Sequence, residues 1–120
     1  KHLTVSANEL FLLPPGTDPL QASMLGVNPP TAFLMLKSLP DLQPGEWILQ
    51  NAANSGVGRS VIQIARALGL RTLNIVRRPE LVAELTALGA DCVLTEEDDL
   101  REMAGQIFGG QLPRLAFNAV

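Results

Sequence analysis

The sequence predicts an α/β fold, a Rossmann-like doubly wound parallel sheet that is incomplete, with about four strands present where a full fold of this kind has about six. Three observations predict it. From residue 46 onward, strand-length apolar runs alternate with stretches of helical period; the connections between them are short; and a glycine turn joins the first such strand to the first such helix. Alternation with short connections implies right-handed crossovers, hence parallel strands and helices on both faces.

Taken in order, Trp47-Ile48-Leu49-Gln50 is the first strand. Val57 to Leu68 then places apolar residues at 57, 61, 64, 65 and 68, the spacing of one helical face, and Gly69 closes the helix. Thr72 to Val76 is strand again. Leu81, Val82, Leu85 and Leu88 form the next helical stripe, between Pro79 and Gly89. Cys92-Val93-Leu94 is a third strand, residues 96 to 108 a third helix, and Leu115-Ala116-Phe117 a fourth strand. The run Glu96-Glu97-Asp98-Asp99 falls in the first turn of that third helix, where carboxylates complement the positive dipole end and Thr95 caps the free amides.

Ahead of this unit, residues 1–45 read as an N-terminal segment with linking helices, and residues 46–120 as a partial dinucleotide-binding domain. Leu3-Thr4-Val5 and Leu10 to Leu13 suggest strand remnants, ended by the turn Pro14-Pro15-Gly16-Thr17-Asp18. Asp18-Pro19 starts a short helix that stops at Gly26, and a second helix begins beside Asn28-Pro29-Pro30. That second helix, with Ala32 to Leu36 apolar nearly all round, is expected to be buried on most sides. Pro44-Gly45 predicts a type II turn into the first strand.

The chain has 120 residues, 47% of them hydrophobic, enough for one sizeable core. A net charge of -3 without any block of five or six like charges gives no nucleic-acid surface and no basic membrane anchor, and the longest uncharged stretch, Pro19 to Leu36, is too often interrupted by polar residues and proline for a membrane helix. No signal sequence is visible at Lys1-His2-Leu3, and the native start is expected to lie upstream. The one cysteine, Cys92, allows no internal disulfide and no CxxC metal site, which suits a reducing compartment. With His2 near the chain end and Cys92 in an expected buried strand, no metal ligand and no catalytic residue is assigned.

The chemistry sits in Gln50-Asn51-Ala52-Ala53-Asn54-Ser55-Gly56-Val57-Gly58, which leaves a buried strand and enters a helix, so that backbone amides converge at a positive dipole end. On this reading Gly56 permits the tight turn, and Gly58 lets a pyrophosphate approach the backbone. Val61 occupies the position where the usual pattern has Gly or Ala, and is expected to hold the helix slightly farther from its strand. At the end of the second strand, about 20 positions beyond Gly56, an NAD-specific domain places an Asp or Glu for the ribose hydroxyls. Arg77 and Arg78 stand there instead, and guanidinium groups pair with a 2′-phosphate. NADP(H) is therefore expected over NAD(H).

Leu25-Gly26-Val27-Asn28-Pro29-Pro30-Thr31-Ala32-Phe33, Leu42-Gln43-Pro44-Gly45, Asn51 to Gly58 and Leu88-Gly89-Ala90-Asp91 together resemble the medium-chain dehydrogenase/reductase superfamily. Within it, Asn54-Ser55-Gly56-Val57-Gly58, Asn74-Ile75-Val76-Arg77-Arg78 and Pro113-Arg114-Leu115-Ala116-Phe117-Asn118 are most similar to the trans-2-enoyl-thioester reductases of the mitochondrial fatty-acid synthesis type or a bacterial homologue. The resemblance implies that Asn28 contacts the nicotinamide end of the cofactor, Asn54, Ser55, Gly56, Val57 and Gly58 the pyrophosphate, and Arg77 and Arg78 the 2′-phosphate of NADPH. Asn28 has a competing role as the cap of its own helix, and helix packing accounts for Thr31.

The resemblance further implies a zinc-independent oxidoreductase that reduces the double bond of an enoyl-CoA or enoyl-ACP, as a homodimer, with its proton donor in a preceding catalytic domain. This chain, which has no tyrosine, would supply the cofactor domain and would be inactive alone. A quinone oxidoreductase of the same superfamily and a non-catalytic NADPH-binding module are the alternative readings. Abundant Ala, Leu, Arg and Pro lean toward a bacterial cytoplasm, with the mitochondrial matrix as the alternative.

Overall fold

A computed structural model describes residues 2–38 and 41–119. After a single 3-10 turn at Ala7–Glu9, the elements are α1 (Pro19–Ser23), α2 (Asn28–Lys37), β1 (Trp47–Gln50), α3 (Gly56–Ala67), β2 (Arg71–Val76), α4 (Leu81–Leu88), β3 (Cys92–Thr95), α5 (Leu100–Phe108) and β4 (Leu115–Phe117). The four strands form one sheet in the order β3-β2-β1-β4, every pair parallel, with Ile48 opposite both Thr72 and Leu115 and Asn74 opposite Val93. This is the expected doubly wound arrangement. Winding proceeds outward from β1 through β2 to β3 and then returns to the other side of β1, so the carboxyl ends of β1 and β4 flank a topological switch point.

Each element forms where its sequence period allows. Helix α3 has its apolar residues on one stripe, burying Val61, Ile62 and Ala65, and Gly69 ends it at φ +72°. The Pro44-Gly45 turn is type II, with Gly45 at φ +89° and the Glu46 amide donating to the Gln43 carbonyl at 3.1 Å. Two apolar clusters lie between sheet and helices. One joins Ala32 and Leu36 of α2 to Ile48, Val61, Ala65 and Leu70; the other joins Ile62 of α3 to Val76, Leu81, Leu85 and Ala90. Each of the larger side chains withdrawn from water here stabilises the fold by about 1.5–3 kcal/mol. On the opposite face α5 packs more thinly: Phe108 meets Trp47 edge-on, with ring centroids 5.5 Å apart.

Three expectations are corrected. Residues Leu3 to Val5 and Leu10 to Leu13 form no strand; they run exposed beside the 3-10 turn, with no neighbouring strand to complete a ladder. Helix α2 buries Ala32 and Leu36, chiefly against α3, and leaves Phe33 and Leu34 44% and 67% exposed on the faces turned away from it. The acidic run precedes its helix. Thr95 instead donates from its amide and hydroxyl to the Asp98 carboxylate at 2.7 and 3.0 Å, and the cap of α5 is Asp99, which accepts from the Glu102 amide. An aspartate accepts this bond at least as well as threonine, so the cap moves to the later residue.

Candidate functional site

The site is assembled at the switch point, where β1 gives way to α3. Residues 51–55 turn sharply there, with Ala52 in the left-handed region at φ +47° and the Ser55 amide donating to the Ala52 carbonyl at 2.9 Å. Ser55 caps α3, its hydroxyl oxygen accepting from the Gly58 amide at 3.0 Å. The Arg59 amide donates to the Ser55 carbonyl, so of the first-turn amides those of Gly56 and Val57 remain for an anion.

The tight-turn role expected of Gly56 falls to Gly58. A Cβ on Gly58 would meet the Ala53 backbone at 2.7–2.8 Å, so Gly58 is the residue that lets the turn close on itself. A Cβ on Gly56 would collide with the Asn28 side-chain nitrogen, so Gly56 is bare because Asn28 packs on it. Neither glycine has positive φ; the strained position is Ala52. Val61 is wholly buried beside Ile48.

Asn28 is the first residue of α2 and does not cap it; the cap position is Val27, and Thr31 returns both its amide and its hydroxyl to the Val27 carbonyl. The cap role fails because Asn28 has already entered the helix, where its side chain has turned to α3. Thr31 is a helix residue, as expected. Asn28, Gly56 and Arg59 line a cavity of about 260 Å³ on one side of the turn.

On the other side lie two further cavities. One of about 300 Å³ is lined by Asn51, Ala52, Asn54, Ile75, Val76, Arg77 and Glu96. The next, about 380 Å³, is lined by Asn54, Arg77, Arg78 and Leu81. Arg78 approaches Glu80 at 3.8 Å, with both side chains more than half exposed, a pair weak enough for a phosphate to displace. The structure thus brings Asn54, Arg77 and Arg78 together and brings Asn28 to Gly56, and Ser55 and Gly58 also hold the turn in shape.

Three features escaped the sequence reading. Gln50, 2% exposed, donates to the Gly58 carbonyl at 3.0 Å and to Asn74 Oδ1 at 2.7 Å; Asn74, fully buried, donates to Thr72 Oγ1 and to the Cys92 carbonyl. This network fastens the first turn of α3 to three strands. Its signal was an asparagine in mid-strand, a poor strand former that must be satisfied if buried. Asn51 bridges the ends of β1 and β4 by donating to Asn118 Oδ1 at 2.6 Å and accepting from the Ala119 amide at 2.7 Å. Arg59 donates to the Asn54 carbonyl at 3.0 Å and to Glu84 at 2.6 Å; that bond raises the Arg59 pKa and holds the Glu84 carboxyl below its ordinary range.

Cys92 is half-buried, and burial, followed by the charges of Asp91 and Asp98, pushes its thiol up. Among the described residues no three His, Cys, Asp or Glu side chains gather as metal ligands, and no helix is long and apolar enough to cross a membrane.

No family model matches the chain. Among curated proteins, it is 51% identical over 122 residues to the human mitochondrial enoyl-[acyl-carrier-protein] reductase, which covers 97% of this chain and 33% of the relative. The chain therefore spans about a third of the length of the curated relatives it matches. Among solved structures, the Thermus thermophilus quinone oxidoreductase, also solved as its NADPH complex, superposes with a TM-score of 0.80 at 38% identity, over 93% of this chain and 36% of that one. An Etr1p mutant in complex with NADP and crotonyl-CoA superposes with a TM-score of 0.76 at 36% identity, over 88% and 32%. The 2-enoyl thioester reductase Etr1p/Etr2p heterodimer from Candida tropicalis gives 0.73 at 36%, over the same shares.

Proposed function

The chain belongs to the medium-chain dehydrogenase/reductase superfamily, with the mitochondrial enoyl-thioester reductases among its homologues, and on that premise we propose that it is the NADPH-holding part of an enoyl-thioester reductase. The observation that carries this reading is the pairing of Arg77 and Arg78 with Asn54 at the end of β2, beside a helix start whose Gly56 and Val57 amides are open. A pyrophosphate fits at that helix start, where the dipole and the two amides favour negative charge, and where a Cβ on Gly56 would displace Asn28. The arginines receive the 2′-phosphate by charge-assisted hydrogen bonds. Asn28, on the far side of Gly56, serves the nicotinamide end.

NADPH supplies a hydride when bound, delivered to the β-carbon of a trans-2-enoyl thioester carried on CoA or acyl carrier protein. What these residues contribute is placement: the turn fixes the phosphates, and the Gln50–Asn74 network fixes the turn. Proton transfer is assigned to the remainder of a longer, homodimeric protein, with residues 46–120 as its dinucleotide-binding part and residues 1–45 as the link from its catalytic domain. The mitochondrial names of the curated relatives support a mitochondrial compartment, within which we place it in the matrix; the bacterial cytoplasm rests on composition alone.

Quinone reduction is the second reading, favoured by the 38% identity to the Thermus enzyme. Steady-state turnover of the full-length protein with NADPH and crotonyl-CoA, longer enoyl-CoA or a quinone separates the two. Faster enoyl-CoA turnover is expected; faster quinone turnover would reverse the assignment.

A further inference from the structure

The peptide plane between Asn54 and Ser55 is held at both ends. Its N–H donates to the Ala52 carbonyl at 2.9 Å, and its C=O accepts from Arg59 Nε at 3.0 Å. Arg59, in the first turn of α3, is in turn gripped by Glu84 of α4 at 2.6 Å, with the two side chains 34% and 52% exposed. Asn54 is the residue common to the two cavities that also contain Arg77, so any rotation of its peptide alters both. Glu84 lines neither cavity nor the one beside Asn28.

From this geometry we infer that Arg59 and Glu84 form a positioning clamp that sets the orientation of the Asn54 peptide and thereby the affinity for the phosphates of the dinucleotide. The inference rests on the cofactor reading above. A lysine at position 59 has a single ammonium in place of the fork, and cannot hold Asn54 and Glu84 in the same geometry. The mutual pKa displacements of Arg59 and Glu84, each caused first by their hydrogen bond, accord with a formed pair.

The sign of one substitution separates positioning from charge. Glu84 is an acid near a site for anions, and the Arg78 charge is close enough to act on it. If only charge mattered, Glu84→Ala would tighten NADPH binding. If Glu84 holds Arg59 in place, the same substitution weakens it.

The test is an NADPH titration of the full-length protein and its Glu84→Ala, Glu84→Gln, Arg59→Gln and Arg59→Lys variants, with a thermal melt of each. Glu84→Ala is expected to raise Kd three- to tenfold. Glu84→Gln, whose amide oxygen still accepts from Arg59, recovers most of that loss, and Arg59→Lys falls with Arg59→Gln. Unchanged or tighter binding in folded Glu84→Ala overturns the clamp, as does a fall in melting temperature with no change in Kd. If Glu84→Ala fails to fold, Arg59→Lys decides: native affinity there overturns the clamp. Failure of the unsubstituted protein to bind NADPH would instead remove the cofactor reading itself.

Discussion

Substituting the two glycines of the turn one at a time separates its structural from its binding role. In Gly58→Ala the new methyl lies 2.7 Å from the Ala53 carbonyl oxygen and 2.8 Å from its C and Cα, all backbone atoms that cannot swing aside. Relieving such overlap costs about 1–3 kcal/mol. The shift also draws Gly58 from the Ser55 cap, worth about 1 kcal/mol, and from Gln50. The better helix propensity of alanine returns about 1 kcal/mol, leaving a net loss of about 1–3 kcal/mol. In Gly56→Ala the atoms nearest the methyl all belong to the Asn28 side chain, which can rotate away, so stability is expected to stay within about 0.5 kcal/mol of the original. If Asn28 contacts the cofactor as proposed, its displacement removes about one hydrogen bond, roughly a fivefold rise in the NADPH Kd. Urea unfolding followed by circular dichroism, together with a fluorescence titration of NADPH, reads both quantities. A Gly56→Ala protein as unstable as Gly58→Ala, or a Gly58→Ala protein as stable as the original, would refute the assignment of these contacts.

Two further substitutions or modifications probe the frame. Asn74→Leu leaves the Thr72 hydroxyl, the Cys92 carbonyl and one Gln50 N–H short of their partner, and is expected to lower unfolding free energy by about 2–4 kcal/mol; a denaturation midpoint equal to the original would contradict the network. Alkylation of Cys92 by iodoacetamide is expected to rise with pH along a curve displaced upward from that of an exposed thiol, since only the thiolate reacts and burial, Asp91 and Asp98 all oppose its formation. An inflection at or below that of glutathione would show the thiol to be freer than its surroundings indicate.

The alternation of strand and helix, the ends of most elements and the parallel sheet were legible because each rests on local period and on Gly or Pro punctuation, as at Gly45, Gly69 and Gly89. The place of the glycine turn at the start of α3 and of Arg77 and Arg78 just beyond β2 was legible because these positions in a strand–turn–helix–strand unit are fixed by geometry. What was not legible depends on contacts distant in the chain. That Gly56 is bare for Asn28, 28 residues upstream, is decided by how α2 packs on α3. The Gln50–Asn74 pair lies across two strands, and the Arg59–Glu84 pair across two helices, each invisible to a reading that moves along the chain. The exposure of Phe33 and Leu34 shows the limit of composition: apolar residues state what can be buried, and a neighbour is needed to bury it.

The turn and the arginine pair are proposed to hold NADPH in preference to NADH. Dissociation constants of the two cofactors for the full-length protein, before and after joint replacement of Arg77→Ala and Arg78→Ala, test it most directly. NADPH is expected to bind more tightly, with a gap that narrows by about 10- to 100-fold when the charge-assisted bonds are lost and NADH affinity little changed. Equal affinity for the two cofactors in the unsubstituted protein would contradict it.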